Sequence, residues 1–269
     1  MLTYGDFSLS GETSGTLMTK VSLPSCTCHA AISDAKALPV IVIYVDADTG
    51  RSYTYRQTHD TAVKFGKGLK SAWGWQKGDV LALYTPNSVD TPVVTWGCHW
   101  AGGIVSPANP TYTADELAFQ LKDAGARALV TQKPFLGLAR QAAAKVGLPE
   151  DRIILLGDYR DPSGRFKHFT DICNLPETQR WQRVKIHPSD DLSFLVYSSG
   201  TTGLPKGVML SHTNIIANVL QMSATEAANM SWKGGPDGNG DSVLGFLPFF
   251  HIYGMFPSLL FPPRGDCEY

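Results

Sequence analysis

Residues 80–106 read VLALYTPNSVDTPVVTWGCHWAGGIVS: an apolar run, a proline-asparagine-serine turn, a helical pattern and a second apolar run in immediate succession. Val80–Tyr84 is apolar throughout, as a strand covered on both faces must be. It gives way through Pro86, Asn87 and Ser88 to a helical pattern over residues 90–100, and residues 104–106 read as the next strand. Strand, helix and strand so close together imply a crossover between parallel strands.

The same alternation extends outward. Upstream, residues 40–45 read as a strand, 46–50 as a turn and Ser52–Thr54 as a short strand. Tyr55–Trp73 has the apolar spacing of an amphipathic helix, ended by Gly74. Downstream, Thr113 and Glu116 form a capping box that opens a helix, Gly125 ends it, and residues 128–131 follow as strand. Leu136–Val146 then reads as helix and Ile153–Leu156 as strand. The expected fold class is α/β, a parallel sheet covered by helices on both faces. Residues 157–187, polar and proline-bearing, are expected to be an irregular surface excursion. After them come a strand at 192–197, a loop, a returning strand at 207–210, Ser211 as N-cap and a helix over 215–228. A glycine-rich loop at 232–241 and a final strand at 243–247 complete the pattern, and residues 1–37 show no sustained periodicity and read as a loose arm.

Composition narrows the classes of function. The chain has 269 residues, 43% of them hydrophobic, enough for a substantial core, and a formal net charge of -1 without a basic run. Small-molecule partners are expected, and no nucleic acid. Five cysteines, Cys26, Cys28, Cys98, Cys173 and Cys267, are odd in number and sparse, which does not make a disulfide framework. Cys26, Cys28 and His29 lack the second ligand pair of a metal site. No signal peptide is expected, since the stretch before Lys20 is polar. The expected setting is intracellular, with cytoplasm and peroxisome undecided. Residues 244–263 approach the ~20 residues of a membrane span, yet Pro248, Pro257, Pro262 and Pro263 would break such a helix repeatedly. A buried strand and pocket wall, and no membrane span, are expected there.

The chemistry concentrates at residues 197–208, Tyr-Ser-Ser-Gly-Thr-Thr-Gly-Leu-Pro-Lys-Gly-Val. Gly200, Gly203 and Gly207 let backbone N–H groups approach an anion closely. Ser198, Ser199, Thr201 and Thr202 add hydroxyl donors, and Lys206 adds a positive charge on a flexible stem. The nucleotide-triphosphatase P-loop is excluded, because it needs glycine before the lysine and Ser or Thr after it, and here Pro205 precedes and Gly207 follows. On composition alone a solvated hairpin turn stays open as the alternative.

Together these twelve residues resemble the signature loop of the adenylate-forming superfamily, the ATP-dependent AMP-binding enzymes. Arg51-Ser-Tyr-Thr-Tyr55 upstream and Leu247-Pro-Phe-Phe-His-Ile-Tyr-Gly254 downstream agree with it in order and spacing. Residues 100–112 followed by Ala114-Asp-Glu-Leu117 are similar to the acyl-CoA synthetases, most to their coumarate-CoA ligase-like and luciferase-like branch. The resemblance covers roughly residues 38–257 and implies an N-terminal AMP-binding domain. It implies that a carboxylic acid attacks ATP, used with Mg²⁺, to give an acyl adenylate, and that coenzyme A then takes the acyl group as a thioester. By the same resemblance Ser198, Ser199, Gly200, Thr201, Thr202, Gly203 and Lys206 hold the phosphates. His251 stands near the reacting carboxylate, and Phe250, Tyr253 and Gly254 belong to the acid pocket. From the residues alone, His251 reads rather as a satisfied core histidine in an aromatic cluster.

The family's Tyr-Gly-x-Thr-Glu and Ser/Thr-Gly-Asp segments, and its mobile C-terminal domain with a lysine, have no counterpart here, and residues 258–269 diverge from the pattern. The expectation is an incomplete large domain, weakly active or inactive alone. A non-catalytic nucleotide- or acyl-binding protein and a non-functional truncated product are the alternatives.

Overall fold

The computed structural model describes residues 42–177, 179–198, 205–226 and 243–255. The expected arm at 1–37, the glycine-rich loop at 232–241 and the divergent tail at 258–269 lie outside the described residues.

A two-stranded antiparallel ribbon, β1 (Val42–Val45) and β2 (Ser52–Thr54), leads into α1 (Tyr55–Trp73). Thr54 and Gln57 cap that helix reciprocally, and Gly74 ends it in the left-handed conformation at φ 58°. The main sheet is built from β3 (Val80–Tyr84), β4 (Ile104–Ala108), β5 (Ala126–Gln132), β6 (Ile153–Leu156), β7 (Lys167–His168), β8 (Leu192–Ser198) and β9 (Lys206–Ser211). Its order is β7-β6-β5-β3-β4-β8-β9. The crossover helices are α2 (Thr91–Trp100), α3 (Ala114–Asp123) and α4 (Leu136–Val146), joined by α5 (Phe169–Cys173), α6 (His212–Glu226) and the short α7 (Ile252–Met255).

The apolar run of β3 is buried on both sides because its residues alternate between two cores. Leu81 and Leu83 pack with Phe65 and Leu69 of α1 and Val93, Val94 and Cys98 of α2. Ala82 and Tyr84 face the other way, against Leu117 and Leu121 of α3 and Ala139 and Ala142 of α4. Small residues let the first layer close tightly. A Cβ on Gly66 would stand 2.6 Å from the Gly97 carbonyl oxygen, and one on Gly68 would stand 2.0 Å from that of Ile172.

The structure bears out the α/β class and the helices on both faces, with three corrections. The sheet is mixed, since β9 runs antiparallel to β8 while the other neighbours are parallel. Residues 157–187 are not wholly irregular, because β7 and α5 lie within them and bury Phe169 and Ile172. A histidine caps α5: His168 Nδ1 accepts from the Thr170 N–H while its Nε2–H donates to the Gly157 carbonyl at 2.8 Å. That pattern carries no Ser, Thr, Asp or Asn signal to read. Residues 243–247 form no strand and follow an irregular path.

Asp90, at the entry to α2, does not cap the helix with its side chain. Fully buried, it instead receives Arg51 Nη2 at 2.7 Å, the Tyr53 hydroxyl at 2.9 Å and the Gly157 N–H at 3.1 Å. This joins the β1-β2 ribbon to the main sheet. Burial, then the Asp90 charge, pushes the Tyr53 phenol well above its ordinary pKa.

Candidate active site

The candidate phosphate loop connects β8 to β9 at one side of the sheet. β8 runs parallel to β4, with Val105 beside Phe194, and ends at Ser198. The chain returns as β9, so that Ser198 faces Lys206 and Tyr197 faces Gly207 across the hairpin. Ser198 and Lys206 are both exposed at this mouth. Ser199, Gly200, Thr201, Thr202 and Gly203 lie outside the described residues.

Two anchors hold the mouth. The Tyr197 ring lies against Gly207, where a Cβ would stand 3.1 Å from the ring. Its hydroxyl donates to Asp123 Oδ2 at 2.6 Å, and burial together with that bond raises the phenol's pKa. Beneath the hairpin, His99 of α2 is buried with Nε2 at 3.0 Å from the Ser193 carbonyl, so the ring proton sits on Nε2 and donates. The His212 ring meets it edge-on at 5.4 Å. Burial pushes His99 down to about 3 and His212 down to about 4. His212 follows Ser211, which exchanges hydrogen bonds with Asn214 as the N-cap of α6. The sequence reading passed over Asp123, since nothing local ties it to Tyr197.

The segment carrying His251 lies over the exit of β3. Phe249, Phe250 and Met255 line a narrow cavity with Thr85, which follows β3, and Phe194 of β8. Thr91 and Thr95 of α2 also line it, and their buried hydroxyls have no partner among the described residues. The His251 N–H donates to the Pro248 carbonyl at 3.1 Å, and His251 Nδ1 accepts from the Tyr253 N–H at 3.2 Å, which begins α7. His251 itself is exposed, Phe250 is half-buried and Tyr253 is 69% exposed. Gly254 is buried, and a Cβ there would stand 2.3 Å from the Pro248 carbonyl oxygen, so no side chain fits. Among the described residues no group of three His, Cys, Asp or Glu side chains is placed to hold a metal.

The family model described as AMP-binding enzyme matches residues 33–264. The chain belongs to the AMP-binding enzyme family. Among its relatives in that family is a 4-coumarate–CoA ligase of Pinus taeda, 36% identical over 233 residues, with 87% of this chain and 40% of the relative covered. A long-chain-fatty-acid–CoA ligase of Bacillus subtilis (strain 168) is 31% identical over 261 residues, covering 88% of this chain and 44% of that one. The AMP-binding fold is matched by a long-chain-fatty-acid-CoA ligase from Archaeoglobus fulgidus at TM-score 0.71 and 24% identity, over 87% of this chain and 44% of that one. ATP-bound MatB from Rhodopseudomonas palustris matches at TM-score 0.66 and 30% identity, over 88% and 44%. This family member therefore spans about two fifths of the length of the curated relatives it matches. No helix among its described residues is long and apolar enough to cross a membrane.

Proposed function

We propose that this site binds ATP and a carboxylic acid for acyl-adenylate formation, the first half of an acid–CoA ligase reaction whose second half transfers the acyl group to coenzyme A. One observation carries the reading: β8 supplies Phe194 to the cavity beside Phe250 and, four residues on, Ser198 to the mouth of the phosphate loop. A single rigid strand thus ties the candidate acid-binding segment to the candidate phosphate loop.

The chemistry follows from those residues. A carboxylate is a poor electrophile until one of its oxygens joins a good leaving group, and adenylation supplies one. Negative charge grows on the phosphates as the acid attacks, and one preorganised donor aimed at such charge accounts for ~10²- to 10³-fold in rate. Lys206 and the hydroxyls and N–H groups of residues 198–203 are the donors in this proposal. Lys206 is exposed at the mouth of the hairpin, where its stem can extend toward a bound nucleotide. His251, held at the start of α7, is the candidate donor to the acid's carboxylate or to the adenylate. The described residues offer no metal cluster for the Mg²⁺ that accompanies ATP, and no role for the ion is derived from them.

The experiment is equilibrium binding of ATP by the 269-residue chain and by Lys206→Ala, alongside acid-dependent exchange between ATP and pyrophosphate. Saturable binding that weakens about tenfold or more in the variant supports the loop assignment, on the scale of one lost charged hydrogen bond. Equal binding by both proteins sinks that assignment. Exchange that depends on an added acid supports adenylation, and ATP binding without exchange makes the chain a nucleotide-binding module.

A further inference from the structure

We infer that Asn87 is the positioning residue of the His251 segment. Its Nδ2 donates to the carbonyl oxygens of Gly245 and Leu247, each at 2.8 Å, and its Oδ1 accepts the Phe249 N–H at 2.8 Å. One amide thereby satisfies three main-chain groups of a stretch that has no strand or helix to satisfy them. The orientation of the amide follows from its partners, since a flipped Asn87 would turn Oδ1 toward two carbonyl oxygens. No hydroxyl or carboxylate side chain offers two donors and an acceptor in one plane.

The clamp sits at a rigid place. Asn87 follows Pro86 directly at the exit of β3, whose residues are buried throughout. From there the order passes along the chain. Phe249 is fixed by Asn87, the neighbouring Pro248 carbonyl accepts from the His251 N–H, and the His251 carbonyl accepts from the Met255 N–H at 2.9 Å. Gly254 closes against Pro248. Asn87 therefore sets where α7 begins and where His251 stands over the exit of β3, without touching the ring. The inference rests on the acid-activation reading above, because it assigns Asn87 to the acid side of the site and not to the phosphate loop.

Two substitutions separate positioning from simple stability. Asn87→Leu keeps the approximate volume and removes all three bonds. Asn87→Asp keeps the acceptor for Phe249 but sets a carboxylate against two carbonyl oxygens, so the closer mimic in shape is the more harmful one. In the full chain, both variants should speed hydrogen exchange at the Phe249 and Met255 amides. Both should also weaken a non-hydrolysable acyl-sulfamoyl adenosine by about tenfold or more, the scale of a misplaced site group, with ATP affinity held within about twofold because the Asn87 amide bonds residues 245–249 and neither β8 nor β9. Asn87→Asp should recover affinity as falling pH protonates its carboxyl into a donor, and Asn87→Leu should not. Parallel losses of both ligands, or parent-like binding by both variants, overturns the inference alone. A parent chain that binds neither ligand overturns the acid-activation reading and this inference together.

Discussion

The β3-β4-β5-β6 body and the β8-β9 edge are built to different standards. Every residue of β3 and β6 is buried, and helices cover both faces. On β9, Val208 is 47% and Met209 68% exposed, and beyond it Leu244 and Phe246 are more than 70% exposed. The body closes on itself through close-packed glycines, while among the described residues the edge that carries Lys206 and precedes His251 leaves apolar surface open. A scaffold is stabilised by contacts that must not change.

The strongest way to break that contrast is at the α1–α5 contact. Gly68→Val should abolish cooperative folding, since a Cβ there meets the backbone of Ile172 at 2.0 Å and a carbonyl cannot swing aside. Loss of a sigmoidal thermal transition is the expected readout, and a parent-like melting curve would refute the tight packing. Next is the junction of ribbon and sheet. Asp90→Ala should cost about 3 kcal/mol in urea unfolding, because it leaves Arg51 and the Gly157 N–H without their buried acceptor. A loss below about 1 kcal/mol would mean that water replaces the carboxylate there.

Acid should act through the histidines. His99, His168 and His212 are held below the ordinary histidine value of 6.5, at about 3, 4 and 4, because burial disfavours their charged forms. The unfolded chain therefore binds more protons than the folded one below pH 6.5, so stability is full above that pH and falls as the pH drops toward 4. Each of the three histidines should contribute up to about 3 kcal/mol to that loss by pH 4, followed by urea unfolding across that window. His99→Gln, which keeps a donor for Ser193, should flatten the slope, and an unchanged slope would remove His99 from the account. The smallest effect is expected at the edge. Met209→Ser should shift stability by less than about 0.5 kcal/mol while reducing self-association in light scattering, since β9 is an exposed edge strand among the described residues. A drop in stability of core size would show that the edge is covered after all.

What the sequence determined by itself was local. The apolar run of β3, the Thr113–Glu116 cap and the Gly74 stop each state their structure within a few residues, because propensity, capping and periodicity act over one or two turns. The same locality made residues 243–247 read as a strand: they are apolar, and only the position of Asn87 shows that side-chain amide bonds take the place of a ladder. Tertiary structure alone decided the pairings that build the candidate site. Asp90 meets Arg51 across 39 residues, Tyr197 meets Asp123 across 74, and Asn87 reaches Gly245 across 158. A single side-chain hydrogen bond between distant residues imposes no period on either stretch of sequence. Its partners become visible only when the folded sheet has brought them together.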